Sequence, residues 1–157
     1  MYFIIVLLLM FLAPLGSIYV EHWHFHSAAS LIALTGKWFV FWSVGVRLLL
    51  AGLRQYVQPS FTAQQIFHIE GDGVLAVVRE LGIANFCAGV VGVLSLLYPA
   101  FVLPVALYAA IFYGIAGIRH IAEKNKSTNE NIAMVSDLFV FIVLAGYVAA
   151  TMTYPLL

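Results

Sequence analysis

The stretch SLIALTGKWFVFWSVGVRLLLAGLRQY, residues 30–56, decides the fold. A helix rising ~1.5 Å per residue needs roughly 20 apolar residues to cross a ~30 Å hydrocarbon core, and this stretch exceeds that length with only Lys37, Arg47 and Arg54 as charges. Its neighbours read the same way. Further apolar spans are predicted at about 2–20, 74–97, 100–121 and 132–153, so five spans take up most of the 157 residues. The composition is 64% hydrophobic and 9% charged, against roughly 45–50% and 25% in a soluble domain. So few charged side chains could not cover a soluble globule, which excludes an ordinary soluble enzyme. Lys plus Arg equal Asp plus Glu, so no basic field exists for nucleic acid. Cys87 is the only cysteine and supports neither an intrachain disulfide nor a thiolate metal site. The expectation is an all-α membrane protein, a single transmembrane domain over 1–157. Spans two to five would form an antiparallel four-helix bundle, with the N-terminal span packing outside or sealing it.

The breaks between spans have local causes. Tyr98-Pro99 joins the third and fourth spans as a hairpin, and Gln58-Pro59 ends the second, because the residue before proline is pushed out of the helical region. Thr62-Ala63-Gln64-Gln65 reads as a capping box opening an interfacial helix over about 62–70, which Gly71-Asp72-Gly73 stops. No Lys or Arg precedes the first span, which exceeds a signal-peptide core and lacks a small-x-small cleavage site, so a retained helix is expected. Arg54, Arg79, Arg119, Lys124 and Lys126 cluster around two loops that fall on one side of a five-span chain. Positive charge stays inside, which puts the amino terminus in the cytoplasm and the carboxyl terminus outside.

Ionisable groups at membrane depth are costly unless paired or wetted. Counting inward from the cytoplasmic ends, Arg47 lies seven residues before Arg54, Glu80 seven after Gly73, and Asp137 six after Asn131. All three reach ~10 Å inside, with Asn85 one to two turns deeper. Arg47 is therefore expected to pair with Glu80, Asp137 or both, and the four residues form a candidate intramembrane polar site. They would either lock helix register or hold a proton or ligand. Lys37 is expected to snorkel to the outer interface, with Trp38 and Trp42 in an aromatic belt. His22, His24 and His26 could converge on a metal, and His120 beside Arg119 suits a helix C-terminus. Gly82, Ala84, Ala88, Gly89 and Gly92, with Gly114, Ala116 and Gly117, suggest close packing across the hairpin of the third and fourth spans, or a homo-oligomer face.

Four segments carry a resemblance: Lys37 to Leu53, Pro59-Ser60-Phe61-Thr62-Ala63, Arg79 to Asn85, and Gly114-Ile115-Ala116-Gly117-Ile118-Arg119-His120. Over roughly Lys37 to Tyr147 the chain resembles an uncharacterised bacterial integral-membrane family, domain of unknown function 6790. The order of Arg-x-x-x-x-Gly, a Glu-Leu-Gly helix, a Gly-rich partner and an acidic last helix is more distantly similar to the DoxX-like four-helix superfamily. That likeness implies a bundle with Arg47 and Glu80 as its polar pair, and a quinone-linked redox subunit as an alternative role. Cys87 has no partner cysteine, so the thiol-linked DoxX branch is not implied. The leading expectation is a non-enzymatic protein of the bacterial inner membrane with no cofactor. It would act as an accessory or scaffold subunit, or as a carrier of a small ligand. Its partners would be the lipid bilayer and a homo-oligomer or larger membrane complex.

Overall fold

The computed structural model describes residues 2–65, 69–124 and 126–153, and these contain helices and no strand. Five helices are long and apolar enough to cross a membrane: α1 (Tyr2–His24), α2 (Leu31–Val57), α4 (Asp72–Leu94), α5 (Pro99–Ala122) and α6 (Thr128–Thr153). A short helix, α3 (Pro59–Gln65), follows α2.

Local chemistry sets the ends. Ser30 caps α2 by accepting the Ala33 N–H at 3.2 Å, which satisfies one of the orphan donors of the first turn. Helix α3 starts at Pro59, not at Thr62 as the capping-box reading predicts. Proline supplies a preset φ and needs no N–H partner in a first turn, so Thr62 falls inside the helix and is buried. Ile66, Phe67 and His68 of the expected interfacial helix lie outside the described residues. A true capping box opens α6: the Ser127 N–H donates to Glu130 Oε2 at 2.7 Å, and the Glu130 N–H donates to Ser127 Oγ at 3.3 Å. This reciprocal pair carries the last helix back to Thr128, a turn before the expected 132.

Two of the helices widen to i→i+5 bonding. In α1 this happens over Leu8–Leu12, just before Pro14, which has no N–H to offer the Met10 carbonyl, and again over Val20–His24 at its end. In α2 it happens over Val40–Val46, where the Arg47 N–H reaches the carbonyls of Trp42 and Val44 and passes over that of Ser43. The Leu8–Leu12 and Val40–Val46 segments touch.

Helix α2 is the hub, in contact with α1, α4, α5 and α6. The shared core joins Val6, Met10 and Ile18 of α1 to Leu34, Phe39, Val40, Val44 and Leu48 of α2. It continues through Val105, Ala106, Ala109 and Tyr113 of α5 and Val140, Leu144 and Tyr147 of α6. Phe11 stacks on Phe139 at 4.4 Å. The first helix is thus a core member, while α4 stands to one side against α2.

Small residues explain that placement. A Cβ at Gly45 would sit 2.7 Å from the Val93 nitrogen, and one at Gly52 or Gly89 would collide with the backbone of Phe86 or Leu49. The glycines of α4 therefore seat against those of α2, not across the α4–α5 hairpin as expected. Gly114 and Gly117 face Phe141 and Leu138 instead, so α5 closes on α6.

Candidate functional site: a buried arginine–aspartate centre

Arg47, Tyr113 and Asp137 lie nine or ten positions from Val57, Ala122 and Thr128, the ends of their helices on one side of the bundle. At ~1.5 Å per residue all three sit ~14 Å in. Arg47 Nη2 stands 3.6 Å from Asp137 Oδ1, and both side chains are mostly buried. Arg47 Nη1 donates to Tyr113 Oη at 3.4 Å, with the guanidinium 5.5 Å from the ring centroid. Tyr113 in turn donates to the Ser43 carbonyl at 2.7 Å, the carbonyl that the widened helix leaves out of its ladder at Arg47. Ser43 Oγ then donates to the Leu9 carbonyl at 3.3 Å. A single polar chain therefore crosses all four core helices, from Asp137 on α6 to Leu9 on α1. Asp137 Oδ1 itself accepts no hydrogen bond among the described residues.

Arg47 also forms the inner wall of a cleft of about 550 Å³ between α1 and α2. Its sides are Ile5, Val6, Leu50, Leu53 and Val57, and Tyr2, Arg54 and Gln58 add polar groups. Arg54 lies 3.6 Å over the Phe61 ring and forms no ion pair with a carboxylate among the described residues. With Asp137 offsetting Arg47, the cleft keeps one uncompensated positive charge beside apolar walls.

The other expected members of the polar site lie elsewhere. Glu80 is exposed on α4 and joins no described ion pair. Asn85 is buried against α2, where its amide donates to Gln55 Oε1 at 2.8 Å. Tyr113 and Ser43 carry no sequence mark of this role, because nothing in an apolar run distinguishes a tyrosine aimed at a buried arginine. The depth that Tyr113 shares with Arg47 is the one trace of it in the sequence.

At the opposite end, Lys37 does not simply snorkel. Its ammonium bonds both Glu21 oxygens at 2.8 Å and lies 4.8 Å over the Trp38 ring, and Trp38 Nε1 donates to Glu21 at 2.6 Å. Trp42 Nε1 donates to Ser17 Oγ at 3.0 Å. The tryptophans thus fasten α2 to α1. His22 and His24 fall within α1, with edge contacts to Trp23 and Phe25, and His26 follows the helix. Among the described residues no group of three potential ligands converges on a metal position. His120 occupies the last turn of α5 with Arg119.

The fold and this centre define a helical protein of membrane-spanning type, with a charged pair buried among its helices. The chain belongs to the family of unknown function DUF6790, whose model matches residues 1–154. That match includes α1, which the narrower sequence resemblance left out. No curated protein and no solved structure matches the chain.

Proposed function

We propose that the protein is a carrier of a small amphiphilic ligand, held in the cleft between α1 and α2 with its head group toward Arg47 and Arg54. The cleft's unbalanced positive charge, Arg54 one turn from the end of α2, stands at the mouth of an apolar-walled cleft that runs inward to Arg47, and this carries the reading. An anionic head gains charge-assisted hydrogen bonds from Arg54, with Arg47 about two turns further in, while an acyl or prenyl tail lies along Ile5, Val6 and Leu50. The volume suits one small ligand. A quinone is the second reading, favoured by the donors of Arg47 at a depth where a quinone carbonyl could accept; it preserves the redox role that the DoxX likeness implies. The host compartment is the bacterial inner membrane with the amino terminus inside, supported by the cationic loops after α2 and α5.

Native mass spectrometry of the detergent-solubilised protein tests the assignment. Phosphatidylglycerol should be retained over phosphatidylcholine of the same tails, and Arg54→Gln should cut its occupancy about tenfold, equivalent to ~1.4 kcal/mol. Equal retention of the two lipids would overturn the anionic-ligand reading. A bound quinone whose occupancy ignores Arg54 would select the second reading.

A further inference from the structure

We propose that α4 pairs with α4 of a second copy of this chain, through the outward face formed by Ala76, Glu80, Ala84, Cys87 and Val91. These positions follow at i, i+4, i+8, i+11 and i+15, so they share one helical face. All five are exposed. Val78, Gly82, Asn85, Gly89 and Gly92 are buried on the opposite face, where the glycines meet α2. On α5 the outward ridge is bulky: it presents Leu107, Ile111, Ile115 and Ile118, side chains suited to acyl chains. On α4 one stripe of the outward surface sets Ala76, Ala84 and Cys87 around the Glu80 carboxylate, with the bulkier Val77, Ile83 and Phe86 exposed beside it.

Glu80 lies eight positions into α4, ~12 Å from Asp72, and no described residue forms an ion pair with it. A carboxylate facing hydrocarbon at that depth is expensive without a partner. Arg79 is its neighbour, is also exposed and also lacks a described ion pair. A two-fold axis along the membrane normal keeps both copies at equal depth; Arg79, about 100° round the helix from Glu80, then borders the contact face and its long side chain reaches Glu80 of the partner subunit in a reciprocal pair. Adjacent opposite charges on one exposed helix are what a self-complementary contact between identical subunits uses. The small side chains let the two backbones approach closely. The occupant is therefore another copy, not an unrelated chain.

Cys87 lies on the same face and reports the contact directly. Copper-phenanthroline oxidation of native membranes should give a disulfide-linked homodimer through Cys87, visible on a non-reducing gel. Ala84→Leu should lower the dimer yield about tenfold. Arg79→Glu alone should abolish the dimer, and adding Glu80→Arg to it should restore crosslinking. No Cys87 dimer would overturn the proposal, as would an adduct of different mass. An equal yield from Ile115→Cys in a Cys87→Ala background would overturn it too, since that ridge reports random collision.

Discussion

Arg47 and Asp137 form a pair in which each member keeps the other from being an isolated buried charge. Arg47→Met should therefore cost about 3–5 kcal/mol, and combining it with Asp137→Leu should recover most of the loss. Unfolding in detergent, run as a double-mutant cycle, measures the difference. Costs that simply add would show that the two charges are independent. Tyr113→Phe deprives the Ser43 carbonyl of its donor and should cost about 1–3 kcal/mol in the same assay. Arg47, Glu80 and Asp137 share a depth that follows from the sequence, because helical rise is nearly constant, whereas the direction each side chain faces does not. Glu80 has the right depth and the wrong azimuth, since the glycines of α4 turn the opposite face toward α2.

Between elements, contact is set by where backbones can approach. Gly52→Ala and Gly89→Ala put a methyl group into the backbone of the facing helix, and each should destabilise by about 1–3 kcal/mol. Gly146→Ala meets nothing within 4 Å and should be neutral or stabilising by up to about 1 kcal/mol, because alanine is the better helix former. Thermal melts of the three variants check this ordering; an equal loss at Gly146 would refute the packing account. The glycine pattern was visible beforehand, but its partner was not. Neighbouring spans in the chain invite pairing across their hairpin, whereas α4 returns to α2 because Gly45 and Gly52 offer the matching depressions. Fastening of α1 to α2 depends on Glu21, which bonds both Lys37 and Trp38. Glu21→Ala should cost about 1 kcal/mol at most, since this cluster is partly open to solvent.

Across the whole molecule, the alternation of five helices puts the loop after α1 and the loop after α5 on opposite faces. With Cys87→Ala as background, a membrane-impermeant maleimide should label Ser27→Cys on intact cells. It should label Lys126→Cys only after permeabilisation. The reverse pattern would invert the orientation and with it the side from which the Arg47–Arg54 cleft opens. The polar chain from Asp137 to Leu9 ties α6, α2, α5 and α1 together and leaves α4 outside it, so loss of the centre should loosen those four helices as a unit.

Composition and run length alone were enough for the all-helical class, the number of membrane-length helices and the position of each charge along its helix, since hydropathy and helical rise are local quantities that add along the chain. The membership of the core, the choice of Asp137 over Glu80 as the partner of Arg47, the Tyr113–Ser43 link and the cleft beside α1 required the packed bundle. Each of these depends on the rotation of one helix about its axis against another, and that rotation is set by which small and large side chains interlock across helices distant in sequence.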